Sequence, residues 1–268
     1  MSVKRNRKDE LGNRLKSMER VETSQVFPPN TYLYVRLDGR GFSKFTKGLQ
    51  RPYDERMSQL MEATTKHLFK EFNCIFSLVQ SDEISLIINN SYDSGCIFEG
   101  KKQKLLSTIA SSCTAYFNMY LSKYLPEKAE AILNGKCRLP TFDCRIFPLG
   151  TKDEATNAIL WRENDATKNA ISMAASHYFS HKELQNKTGL VMKDMLKTKA
   201  NVNFESYPDF FKHGTGFKKQ SVNYVSTDPN VVDYIRTKII KTKVLKTMTH
   251  EKRVKHVFDI DTRTEVVA

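Results

Sequence analysis

Several things that would settle the chemistry of a 268-residue chain at once are missing from this one. Its five cysteines, Cys74, Cys96, Cys113, Cys137 and Cys144, are odd in number and never stand at C-x-x-C spacing, which argues against a disulfide framework and a structural zinc site. Cys74 and Cys113 fall on apolar faces and are expected in the core. No run approaches the roughly 18 apolar residues of a membrane span. The opening MSVKRNRKDE has no apolar stretch of signal-peptide length, so a reducing, cytoplasmic setting without a membrane is expected. There is no G-x-x-x-x-G-K-[ST] loop, which removes the P-loop enzymes. His177 and His181 are four apart, but no H-E-x-x-H accompanies them, and neither a serine nor a cysteine nucleophile has a local signature. No internal repeat or low-complexity segment is visible.

Positive charge, by contrast, is abundant. Lysine and arginine number 43 against 30 acids, a net charge of +13. That excess points to a polyanionic partner, most simply nucleic acid; plain solubility is the competing reading. Much of it sits late in the chain. Residues 236–256 carry eight Lys or Arg against the single acid Glu251. Lys168, Lys182, Lys199, Lys212, Lys218 and Lys219 are the candidate RNA contacts there. Residues 1–8 are also basic.

The hydrophobic pattern supplies a fold. Residues 9–22 read as a short helix with Leu11, Leu15 and Met18 on one face, ended by Phe27-Pro28-Pro29. Residues 32–38 alternate as a strand. Asp54 then caps a helix marked by Met57, Leu60, Met61, Leu68 and Phe72. Residues 74–80 and 84–88 form a hairpin about Ser81-Asp82-Glu83. A second helix spans Leu105 to Leu121, and residues 142–147 are a fourth strand. The order β-α-β-β-α-β is the ferredoxin-like arrangement, an α+β antiparallel sheet with helices on one face. After it comes a mostly helical part: a long helix over 152–176, a capping box at Ser180 and Glu183, and a helix capped by Thr188. We therefore divide the chain into a core over 1–150 and a helical, basic extension over 151–268 packed on it as one compact unit.

Right-handed crossovers put the end of the first strand and the start of the third on the same sheet edge. Asp38 ends the one; Asp82 and Glu83 begin the other. Carboxylates converging in a cleft repel one another without a cation, and Mg²⁺ takes oxygen ligands shared with substrate phosphates. Asp38, Asp82 and the Gly39 carbonyl are thus candidate ligands for two Mg²⁺ ions, with Glu83 orienting them. Turn formation alone is the plainer reading of these acids. Triphosphate donors are sought in Arg40, Lys44, Arg51, Ser81, Lys104 and Arg145. Phe42 and Ser43, in the same loop, are included as nucleotide contacts. Phe210 and Phe211 could stack on bases, although burial is the stronger reading.

The runs RLDGRGFSKF, RPYD, QSDE, WRENDATKN and FFKHGT, in this order, resemble the tRNA-His guanylyltransferase family, and most of all its branch of guanylyltransferase-like 3′–5′ RNA polymerases. The resemblance runs from about Leu11 to Lys219. It implies a fold like the palm of ordinary polymerases and nucleotide addition to the 5′ end of tRNA. A 5′-monophosphate is first activated with ATP or GTP. The activated end is then attacked by the 3′-hydroxyl of an incoming nucleoside triphosphate. By the same resemblance Asp38, Gly39 and Asp82 are the metal ligands with Glu83 beside them, Ser81, Arg51 and Lys104 hold triphosphate, Arg145 serves activation, and Asn169 matches an asparagine of the family's histidine–asparagine motif. A homotetramer is also implied. The sequence departs from the tRNA-His-specific pattern at Thr167 and Ala170, where that motif has histidine and asparagine, and at Ser43, where a histidine follows the first acidic motif. These departures suit template-directed 5′-end repair better than strict addition of one guanosine. Two other classes compete: a nucleotidyl cyclase of palm fold, against which the hairpin lacks a GG-[DE]-[EF]-like turn, and a non-catalytic RNA-binding protein, against which the acids are intact.

Overall fold

The computed structural model describes residues 7–93, 95–227, 232–242 and 245–267. The basic residues 1–6 and residues 243 and 244 of the late basic segment lie outside them. In chain order the elements are α1 (Arg7–Thr23), β1 (Thr31–Gly39), α2 (Phe42–Phe45), α3 (Glu55–Glu71), β2 (Phe76–Gln80), β3 (Glu83–Asn90), α4 (Lys102–Tyr124), α5 (Pro126–Leu133), β4 (Phe142–Leu149), α6 (Lys152–Tyr178), α7 (His181–Leu184), α8 (Gly189–Lys199), α9 (Asp209–His213), β5 (Thr215–Ser226), β6 (Tyr234–Thr242), α10 (His250–Phe258) and β7 (Asp261–Val267).

The first four strands form the ferredoxin-like arrangement in the spatial order β4-β1-β3-β2. β1 lies between β4 and β3, β2 pairs the far side of β3, and every one of these pairs is antiparallel. β1 and β2 therefore run the same way, as a right-handed crossover through α3 requires. The predicted caps are present too. Asp54 accepts from the Arg56 N–H, Thr188 accepts from Val191, and Ser180 with Glu183 closes a capping box.

Strand alternation sorts the two faces of the sheet. Leu33, Val35 and Leu37 of β1 and Ile84, Leu86 and Ile88 of β3 face α3 and α4, joining Leu60, Leu68, Ile109 and Phe117 in the main core. Tyr34, Phe76, Leu78 and Ile87 face the other way, onto Ala155, Ala158 and Ile159 of α6 and Val257 of α10. So α3 and α4 cover one face as expected, and the later helices cover the other.

The chain after residue 213 departs further from expectation. The helical extension is present from α6 to α9, but residues 215–267 add three strands to the same sheet. β5 pairs β2, β6 pairs β5, and β7 runs parallel to β5. β-branched and aromatic types are frequent in both β5 and β6, interleaved with lysine and arginine. Their lysines obscured that pattern. α1 forms as read, but its stripe stays in solvent: Leu11, Leu15 and Met18 are 51%, 51% and 57% exposed. Among the described residues no helix is long and apolar enough to cross a membrane.

Candidate active site

The two acidic segments meet at one end of the sheet. Asp38 is the cross-strand partner of Glu83 on β3 and of Asp143 on β4, so three carboxylates stand in one row on the α6 face. Asp82 sits in the two-residue turn between β2 and β3. Its carbonyl accepts the Gly39 N–H at 3.1 Å, which ties the hairpin to the end of β1. Ser81, beside it, is held at φ +52°, a left-handed conformation that a residue with a Cβ rarely adopts. Burial pushes the Asp82 carboxyl up to about 6, and the charges of Asp38 and Glu83 add to the rise.

Glu83 itself is committed elsewhere. Arg162 of α6 grips it through two hydrogen bonds of 2.7 Å and holds Asp165 at 2.6 Å. Burial opposes the charge on Arg162, yet its bonds to Glu83 raise its pKa overall. Glu83 is therefore an anchor between β3 and α6. Among the described residues Asp38 and Asp82 have no cationic partner. Their oxygens and the Gly39 carbonyl are hard donors, and like-charge repulsion at Asp82 is the state a divalent cation would relieve. Among the described residues no group of three or more His, Cys, Asp or Glu side chains forms a metal site of its own. Such a two-carboxylate set suits Mg²⁺, which usually completes its shell with phosphates and water.

The loop after β1 follows from one ring. Phe42 is buried against Phe45, Phe117 and Phe142, and a Cβ on Gly39 would fall 2.4 Å from it. Gly39 is required by that packing. The ring of Phe42, which was sought as a nucleotide contact, is buried and supports the loop from below. Arg40, Ser43 and Lys44 remain exposed around it. Arg51 and Ser81 line a single cleft with Tyr53, Met173, Phe210 and Phe211. Tyr53 meets Phe210 edge to face at 5.3 Å and lies tilted against Phe211 at 4.9 Å.

Other candidates are placed differently. Lys104 opens α4, while the Phe117 end of that helix lies under Phe42; 13 residues of helix put Lys104 about 20 Å away within this chain. Sequence order cannot show which end of a helix faces the site. Lys212 is buried, bonded to the Glu205 carbonyl at 2.9 Å and paired with Asp209. Lys218 is enclosed beneath Asp261. Neither side chain stands exposed on the surface. Lys168 pairs with Asp165 but is exposed, as are Asn169, Lys182 and Lys199. Lys219 bonds the Asn73 side chain.

Some residues at the site were not foreseen. Arg36 lies opposite Arg145 and Ser85, two residues from the acidic row on the same face, and stacks on Trp161 at 5.5 Å. Period-two counting back from Asp38 would have found it. Arg145 itself reaches Asp143 at 3.5 Å. An imidazole also appears beside Thr167: His213 Nδ1 lies 3.0 Å from its Oγ1. Burial, with Lys212 and Lys246 nearby, lowers the pKa of that histidine.

Residues 13–150 match the family described as tRNAHis guanylyltransferase. The chain is 30% identical over 267 residues to an uncharacterized protein of Acanthamoeba polyphaga mimivirus, covering 93% of this chain and 89% of that one. It is 29% identical over 216 residues to the tRNA(His) guanylyltransferase of Debaryomyces hansenii, covering 76% and 79%. A bacterial tRNA(His) guanylyltransferase-like protein in complex with ATP has a similar structure, with a TM-score of 0.76 and 30% identity over 93% of this chain and all of that one. For the Saccharomyces cerevisiae tRNA(His) guanylyltransferase the TM-score is 0.65, at 26% identity over 74% and 90%.

Proposed function

Because the chain belongs to the tRNA(His) guanylyltransferase family, we propose that it is a nucleotidyltransferase that adds nucleotides in the 3′–5′ direction to the 5′ end of tRNA, with ATP or GTP as activator. The observation that carries this reading is the meeting of Asp38 and Asp82, 44 positions apart, at one end of the sheet, with no basic side chain among the described residues reserved for them. When bound there, Mg²⁺ supplies charge neutralisation for the triphosphate and for the oxygens gained and lost at phosphorus. The protein's own part is positioning and electrostatics. Asp38, Asp82 and the Gly39 carbonyl would hold the ions. Arg51 and Ser81 offer donors to phosphate at the mouth of a cleft whose rings, Tyr53, Phe210 and Phe211, suit a flat base. Arg36 and Arg145 present positive charge two residues from the acids on the face that would meet the RNA 5′ end. Arg162 holds Glu83 and, through it, the register of the hairpin that carries Asp82.

The exposed lysines 168, 182 and 199 are proposed to meet tRNA through phosphate, so affinity should fall steeply with salt. Thr167 and Ala170 in place of histidine and asparagine favour repair of shortened 5′ ends over addition of one extra guanosine. A cytoplasmic homo-oligomer is the expected setting. The test uses Mg²⁺, α-labelled GTP and two 5′-monophosphorylated tRNA transcripts, one full-length and one lacking its first nucleotide. Label at the RNA 5′ end, stronger on the shortened transcript and absent with Asp82→Ala, is expected. A cyclic nucleotide product, or RNA binding with no labelled product, overturns the proposal.

A further inference from the structure

At the opposite end of the sheet is a second cleft, of about 270 Å³. Tyr32 and Asn89, cross-strand partners at the start of β1 and the end of β3, line it together with Lys152 of α6, Lys218 and Lys219 of β5 and Phe258 of α10. Six residues of strand separate Tyr32 from Asp38, about 20 Å, so the two sites are distinct. Lys218 is 1% exposed, and among the described residues its ammonium makes no hydrogen bond. Its ion-pair partner is Asp261 Oδ2 at 3.1 Å, on a side chain 56% exposed.

A buried ammonium carries three donors and is costly to keep from water unless acceptors surround it. One carboxylate with a free path to solvent is a poor match for that demand. The residues that line the cleft carry more positive charge than negative, with Asp153 and Glu154 of the first turn of α6 outside that lining. Lys152 lies over the Phe258 ring at 5.3 Å, and Lys219 is held on Asn73. Lys152 is also the first residue of the 27-residue α6, whose dipole places partial positive charge at this end. Against the three lysines stand Asp259, which lines the cleft, and Asp261.

We infer that this cleft is an anion site for a phosphate group, which takes the place of the Asp261 carboxylate on Lys218 and is completed by Lys152. The volume suits phosphate or pyrophosphate and lies below the roughly 300–1,000 Å³ of pockets for whole ligands. Two sources carry that chemistry: free pyrophosphate, or a backbone phosphate of bound RNA. The inference goes beyond nucleotidyl transfer and does not depend on it.

The test is lysine acylation of the full chain read by mass spectrometry, without Mg²⁺, against pyrophosphate or a 5′-monophosphorylated tRNA transcript. Acylation of Lys152 should fall about threefold in the presence of the anion and stay constant in Lys218→Met. Asp261→Asn removes the competing carboxylate and should lower the half-saturating pyrophosphate concentration about fivefold. Protection by pyrophosphate supports a free anion. Protection by transcript alone, lost in Lys218→Met, supports an RNA phosphate. If Lys218 only ties β7 to β5, Asp261→Asn leaves half-saturation unchanged or raises it, and the inference fails. Should Lys218→Met not fold, Asp261→Asn decides alone.

Discussion

The two faces of β1 and β3 are built from the same strands and do different work. Toward α3 and α4, every second residue is aliphatic and sealed from water. Toward α6, the row of Asp38, Glu83 and Asp143 and the row of Arg36, Ser85 and Arg145 stand where the other face has leucine and isoleucine. The apolar face gives the strands a rigid registration. The polar face uses that registration to hold like charges close together, an arrangement no flexible loop would keep. Stability and chemistry are thus separated by the side-chain period of a strand.

Breaking the polar face at its centre should have the largest effect. Asp38→Asn is expected to lower the rate of 5′ nucleotide addition by on the order of 10³-fold, with the thermal midpoint unchanged or raised. A midpoint that drops along with the rate would mean the residue is structural. Next comes the joint between the faces and the later helices. Arg162→Met leaves Glu83 buried without a partner and should cost about 3–5 kcal/mol in urea unfolding. The double change with Glu83→Gln should recover much of that loss without restoring the rate.

The apolar face gives the opposite signature. Leu86→Ala should cost about 3 kcal/mol, while the folded fraction keeps its specific activity. Equal losses of stability and specific activity there would end the division of labour.

The smallest effect concerns His213. Its pKa is depressed in the fold, so its neutral form is favoured there: the associated stability is present above the histidine's ordinary value near 6.5 and is lost as pH falls through its lowered one. Stability measured from pH 7 down to 5 should decline a little less in His213→Gln than in the parent chain. An identical decline would show that the imidazole is not desolvated.

β1 to β4 and the helices α1, α3, α4, α6, α7 and α8 were legible because their periods are clean or their caps are local. Asp54, Thr188 and the Ser180–Glu183 box each signal a helix start within three residues. β5 and β6 were harder to see, since lysines interleaved with their apolar residues resemble a solvated basic tract until a neighbouring strand is there to pair with. The meeting of Asp38 and Asp82 could be inferred because crossover handedness leaves few topologies.

Taken alone, the amino-acid order determined the periodicities, the caps, the excess of positive charge and the identity of the acids that can hold a cation, all properties of neighbours along the chain. Only the tertiary structure decided that Glu83 belongs to Arg162, that Phe42 lies beneath the loop, that Lys104 faces the far end of its helix, and that Lys218 is enclosed. Each of these depends on which surfaces pack across tens of residues, where burial and pairing reassign a side chain whose chemistry was plain but whose surroundings were not.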